Sequence, residues 1–194
     1  MIRSAAVLFR ERGVYGTSLS DVVAHSSAPR GSIYHWFPGG KAQLAAAATR
    51  YSGEFIAAGL AAALEQDDPV AAVRAFASLW RRVLRDSDFS AGCPIVSATL
   101  EGDRTPAARD AAGAAFARWQ ELLADAFRRR GVTPARAESL STLVVAAVEG
   151  AIVLSRAQRS SAPLERVAGE LESIVADAAF HAPARTSAAE SIIR

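Results

Sequence analysis

The chain has 194 residues, 51 % of them hydrophobic and 22 % charged, enough apolar content for one compact domain or a small head on a larger body. That balance excludes wholesale disorder, and the single cysteine, Cys93, excludes an intramolecular disulfide framework or a cysteine-rich metal site. The net charge of +2 selects no partner by itself. Alanine, the strongest helix former, supplies much of the apolar content, so an all-α fold is expected. No signal-peptide pattern opens the chain and no apolar run approaches the roughly 18 residues of a membrane span, which implies a soluble, cytoplasmic protein with no membrane partner.

In chain order, Ala5, Val7, Leu8 and Phe9 form the apolar part of a first helix, and Gly13 is placed to end it. Thr17 or Ser18 can cap the next helix, with Asp21 in its first turn and Leu19, Val22 and Val23 on its buried side. Ser26-Ser27 is a turn, and Pro29 is suited to the first turn of a third helix that ends at Phe37-Pro38-Gly39-Gly40. A fourth helix from Lys41 to about Glu65 carries Leu44, Ala48, Tyr51 and Phe55 at one-face spacing. No Gly/Pro/Ser linker interrupts it, so it joins head to body.

Three later helix starts share one device, a polar residue before proline: Asp68-Pro69, Thr105-Pro106 and Thr133-Pro134. Pro163 opens the last helix, running to about Phe180, and residues 182–194 read as a flexible tail. The helix from Pro69 aligns Val73, Phe76, Trp80, Val83 and Leu84. The helix from Pro106 aligns Phe116, Trp119, Leu123 and Phe127, and Gly131 follows three arginines at its end. Glu101 and Asp103 read as a solvated helix end.

Residues 1–50 hold six basic residues (Arg3, Arg10, Arg12, Arg30, Lys41, Arg50) against Glu11 and Asp21, so the head carries +4 and the remainder −2. A basic head is expected where phosphates are met. Three short helices within about 35 residues, with a brief turn between the second and third, have the size of a helix-turn-helix unit. A helix that reads the major groove needs little bulk at its start, which Gly31 and Ser32 provide. Arg30 can present its planar fork to guanine or clamp a phosphate. Thr17, at a helix start, can offer its hydroxyl to a phosphate oxygen.

The run Thr17-Ser18-Leu19, Val22-Val23-Ala24, Ala28 through Phe37, and Lys41 resembles the TetR family of bacterial repressors. The Pro29-Arg30-Gly31-Ser32 start, the Phe37-Pro38-Gly39-Gly40-Lys41 turn, and Gly92-Cys93-Pro94-Ile95 with Leu100-Glu101 are similar to its LmrA/YxaF-like subgroup. The resemblance implies a helix-turn-helix head at 1–45 and a ligand-binding and dimerisation body at 46–181, about nine helices in all. The DNA-facing set is then Thr17, Ser18, Pro29, Arg30, Gly31, Ser32, Tyr34, His35, Trp36 and Lys41. Two positions depart from the family pattern. Ser27 stands where glycine is common and must take a strained turn, and Trp36 stands where histidine is common, with His35 as an alternative contact. The chain also starts close to its first helix, which trims the family's usual basic approach to it.

The resemblance further implies an effector pocket in the body. Phe55, Phe76, Trp80, Leu84, Cys93, Ile95, Leu100, Phe116, Trp119 and Leu123 are bulky enough to line one, or to be ordinary core. Cys93 reads as a redox sensor or a small buried hydrophobe. On the last two helices, Val144, Ala147, Val148, Gly150, Ala151 and Leu154 allow close approach, with Leu164, Val167, Leu171, Ile174 and Val175 as a partner stripe. These residues can build a homodimer or close the protomer's own core. His25, His35 and His181 have no partners at ligand spacing, and no phosphate loop or nucleophile motif is present, so no catalysis, metal or cofactor is expected. The expected partners are a double-stranded DNA operator, a small-molecule effector and a second copy of the chain.

Overall fold

Proline and glycine set most of the helix ends. In the computed structural model, which describes residues 1–65, 68–103 and 105–180, nine helices and no strand are found among the described residues. They are α1 (Ile2–Arg12), α2 (Leu19–Ser26), α3 (Ser32–Trp36), α4 (Gly40–Leu64), α5 (Pro69–Asp86), α6 (Pro94–Leu100), α7 (Pro106–Arg129), α8 (Pro134–Gln158) and α9 (Ala162–Phe180). The expected tail at 182–194 lies outside the described residues. Of the three polar-proline starts, only Asp68 caps with its side chain, accepting the N–H groups of Val70 and Ala71 at 3.0 and 3.1 Å. Thr105 and Thr133 make no such bond, so there the fixed φ of proline starts the helix. The helix not placed from the sequence is α6, whose seven residues hold too few turns for a periodic pattern to show.

One contiguous apolar core runs from Ala5 in α1 to Val175 in α9. Its centre is the α4–α7 crossing, the most extensive helix pair in the molecule. The two backbones approach closely there because Gly53 faces Ala115; a Cβ on Gly53 would lie 2.7 Å from that of Ala115. One turn further, the fully buried Trp119 donates its indole N–H to the Gly53 carbonyl at 3.1 Å. Phe76, Trp80, Phe116 and Trp119 meet edge to face, which fills this region with rings.

α8 packs between α7 and α9. Its length and mean hydropathy of 1.7 over 18 residues would suffice for a membrane span, a property that its interrupted apolar pattern hides in the sequence. Half of that window is buried inside the bundle, as in the core helix of a folded domain. Val144, Val148 and Ala151 of α8 and Leu164, Leu171 and Val175 of α9 are all buried. These six residues close the protomer's own core, which removes them from the expected dimer surface. What α8 leaves exposed is Leu143, Ala146, Val153 and, from the expected set, Gly150 and Leu154, with Ala147 half-buried. Val167 and Ile174 are half-buried on α9.

Candidate nucleic-acid interface

α2 starts on a reciprocal cap. Ser18 Oγ accepts the Asp21 N–H at 3.1 Å, and the Asp21 carboxylate accepts the Ser18 N–H at 2.7 Å. The Ser18 hydroxyl also donates to that carboxylate at 2.7 Å, and this bond and the Ser18 N–H, with Arg12 and Lys41 nearby, hold the Asp21 carboxyl below the usual carboxylate range. Thr17 plays another part than the phosphate contact expected of it. Its side chain is wholly buried, and its hydroxyl donates to the Gly13 carbonyl at 3.0 Å, bracing the α1–α2 turn.

Between α2 and α3 the chain reverses at Ser27, which takes the left-handed conformation (φ 54, ψ 24) that the absent glycine would adopt without cost. The following N–H of Ala28 closes the turn onto the Val23 carbonyl at 3.3 Å. The third helix then begins three residues later than expected from Pro29. Pro29 lies in the turn, where its carbonyl accepts both the N–H and the hydroxyl of Ser32, at 2.9 and 2.7 Å. Ser32 thus spends its proton inside the protein and retains lone pairs for an outside donor.

α3 is only five residues long and is held by two anchors, Ile33 and Phe37, both buried. Everything between them faces out. Tyr34 is 68 % exposed, Trp36 is 64 % exposed, and His35 stacks edge to face on Trp36 at 5.3 Å. Arg30 and Gly31 are exposed just before the helix. A Cβ at Gly31 would meet nothing within 4 Å, so packing inside the protomer gives no reason for glycine there. Lys41 opens α4 beside the α1–α2 turn, its ammonium 3.2 Å from the Tyr15 carbonyl and 5.4 Å from the centre of the Tyr15 ring. The preceding Gly40, at φ +64, meets the backbone demand of the Phe37–Gly40 turn. Apart from Thr17, the expected DNA-facing residues therefore share one end of the molecule.

The expected pocket set disperses. Leu84, Cys93, Ile95, Trp119 and Leu123 are buried core, joined by Phe76 and the half-buried Phe116 in the ring cluster. Leu100 is 81 % exposed, apart from that core. Phe55 and Trp80 do line a cavity, of about 280 Å³, that also takes in residues of α1. Burial, with Glu149 facing it, pushes the Cys93 thiol well up, which leaves it a protonated hydrophobe rather than a reactive thiolate. Among the described residues, no group of three His, Cys, Asp or Glu side chains could hold a metal ion.

Sequence reasoning missed Glu101. Its carboxylate leaves the end of α6 and accepts the N–H groups of Val14 and Tyr15, at 3.1 and 2.7 Å, in the turn after α1. Gly13 is glycine for two reasons at once: φ of +76, and a Glu101 oxygen where its Cβ would be. A contact spanning more than 80 residues leaves no local pattern, so only the pairing of Leu100-Glu101 with the family resemblance hinted at it.

Comparison with known proteins agrees with this geometry. Residues 1–48 match the family model described as bacterial regulatory proteins, tetR family, and residues 69–170 match the transcriptional regulator LmrA/YxaF-like, C-terminal domain. An uncharacterized HTH-type transcriptional regulator of Mycobacterium tuberculosis is 41 % identical over 181 residues, covering 90 % of this chain and 92 % of that protein. The HTH-type transcriptional regulator LmrA of Bacillus subtilis is 32 % identical over 84 % of this chain and 88 % of its own length. Among solved structures, a regulatory protein TetR from Rhodobacter sphaeroides superposes with a TM-score of 0.79 at 23 % identity, covering 89 % of this chain and 95 % of that one. That likeness shows the shared all-α fold. The matched families and relatives are transcriptional regulators, not enzymes.

Proposed function

The chain belongs to the TetR family of bacterial regulatory proteins, with an LmrA/YxaF-like C-terminal domain, and from that premise we propose that it is a cytoplasmic repressor released from a palindromic operator by a small effector. The observation that carries the reading is α3 itself. A helix with two buried anchors and an exposed Arg30-Gly31 start, Tyr34, His35 and Trp36 is built to meet something outside the protomer. Gly31 leaves the space that close approach of a groove edge requires. Arg30 is assigned to base edges, with Ser18, Tyr34, Lys41 and the indole N–H of Trp36 assigned to phosphates.

Residues 1–45 form the reading head and 46–181 the body, in a homodimer that presents two α3 helices roughly 34–36 Å apart, or slightly further, to successive major grooves. The α8 row of exposed Leu143, Gly150 and Leu154 and half-buried Ala147, with Val167 and Ile174 of α9, is the dimer surface in this reading. Effector binding would favour a state with mis-spaced heads, through differential affinity for the two states.

Fluorescence anisotropy on the protein's own upstream DNA, titrated with salt, tests the reading. Affinity is expected to fall steeply with salt as counterions are released. It is also expected to fall by about tenfold or more in Arg30→Ala, the size of a lost bidentate base contact, with the dimer intact by sedimentation. A flat salt response, or full affinity in Arg30→Ala and Tyr34→Phe together, would overturn it.

A further inference from the structure

The cavity of about 280 Å³ lies where the head meets the body, between α1, α4, α5 and the start of α6. Ala6, Val7, Ile56, Leu79, Val83 and Pro94 give it apolar walls. Its volume is that of about nine waters at bulk density, room for one ring with a short side chain. Its polar lining residues are Arg3 and Arg10 of α1 with Tyr51 and Ser52 of α4. Arg3 and Arg10 bring two guanidiniums from α1, and no acidic residue lines the space. Among the described residues neither arginine is in an ion pair.

Two unpaired guanidiniums on one wall, no carboxylate and an otherwise apolar lining select a ligand that brings negative charge at one end and hydrocarbon at the other. We propose that this head–body seam binds a small organic anion with a body of single-ring size, its carboxylate or equivalent meeting the guanidiniums of Arg3 and Arg10. This identifies the effector class and site of the proposed repressor, and it rests on that reading for its regulatory consequence. The seam is also where the body is fastened to α1: the Gly92 N–H donates to the Arg10 carbonyl at 2.9 Å, and Glu101 grips Val14 and Tyr15. A ligand touching α1 on one side and α4 and α5 on the other makes different contacts whenever the head reorients, which is the condition for changing DNA affinity.

Calorimetric titration of the full chain, without DNA, with 3-phenylpropionate and with its primary amide tests the site. The acid is expected to bind one saturable site in the millimolar range usual for a fragment of this size. The amide, and the acid against Arg10→Gln, should bind about tenfold more weakly, the effect of losing a charge-assisted hydrogen bond. Leu79→Trp, which fills the cavity, should abolish binding; Val83→Phe serves the same purpose if Leu79→Trp does not fold. Saturating acid should then alter operator affinity several-fold in the unmodified chain and leave a cavity-filled variant unaffected. No saturable binding of the acid, equal affinity for acid and amide, or binding that survives cavity filling overturns the site. Binding with unchanged operator affinity overturns its regulatory role. Absence of operator binding with the ligand site intact counts against the DNA-binding reading alone.

Discussion

In the reading head, Ile33 and Phe37 are the buried apolar anchors of a five-residue helix whose Tyr34, His35 and Trp36 face outward, and strained or glycine-only turns at Ser27 and Gly40 bracket it. The α4–α7 crossing of the body is the reverse: small residues bring the backbones together, and Trp119 fills and hydrogen-bonds the gap. The head spends its sequence on backbone geometry, and its loss should show first in binding. The body spends its sequence on packing, and its loss should show first in stability. Variants that separate the two readouts test that division.

The largest effect should come from the body. Trp119→Ala removes a fully buried ring together with the bond to Gly53, and about 3–5 kcal/mol of stability should go with it. A urea titration checks this, and operator affinity should decline only in step with the unfolded fraction. A loss under about 1 kcal/mol would mean that the crossing is not the packing centre.

The second effect is also in the body and depends on pH. Both carboxyl oxygens of Glu149, on α8, are buried with no hydrogen bond of good geometry, and burial, only partly offset by the facing Cys93 thiol, raises this carboxyl from 4.5 to about 7. The folded chain therefore keeps a proton that the unfolded chain loses earlier, so this contribution to stability falls as pH rises from 4.5 to 7 and is flat above. The fall should be on the order of 3 kcal/mol. Glu149→Gln, uncharged throughout, should remove that slope from the urea midpoint against pH. An unchanged slope would mean the carboxylate is hydrated or paired.

Between the two regions stands Glu101. Glu101→Ala frees the N–H groups of Val14 and Tyr15, for about 1.5–3 kcal/mol, the usual range for bonds to a charged acceptor. It should also loosen the head, raising amide exchange at Val14 and Tyr15 and weakening operator binding beyond what the stability loss explains. Unaltered exchange at those two amides would show that the clasp does not position the head.

These features differ in how far the sequence reveals them. Gly13, Asp68 with Pro69, Gly131 and the Phe37–Gly40 turn were legible because each acts through local backbone rules. The order of α4, α5, α7, α8 and α9 was legible because long periodic helices repeat their signal. The reading head was legible as a pattern, but Thr17 was misassigned because a hydroxyl at a helix start looks the same whether it faces solvent or the carbonyl of Gly13. The buried set on α8 and α9 was ambiguous for a related reason. Apolar periodicity says that a face is covered, and which face meets a partner depends on neighbours that the sequence does not position, as Val144 and Leu143 illustrate. Contacts such as Glu101 with Val14, or Arg10 and Trp80 around one cavity, join residues too far apart for any local rule.

The smallest predicted effect returns to the head and is a gain. Ser27 holds φ 54 without the freedom of glycine, and its side chain is exposed, so replacing it costs no buried contact. A left-handed non-glycine residue is strained by roughly 1–2 kcal/mol, while glycine's greater freedom in the unfolded chain returns about 0.5–1 kcal/mol of that. Ser27→Gly should therefore stabilise by about 0.5–1 kcal/mol, or about 1–4 °C in Tm for a chain of this size, with operator affinity unchanged. If the variant is instead less stable, the turn is held by something other than its backbone. If it is more stable but binds DNA less well, the strain at Ser27 contributes to positioning α3, and the head would then be built on more than its two anchors.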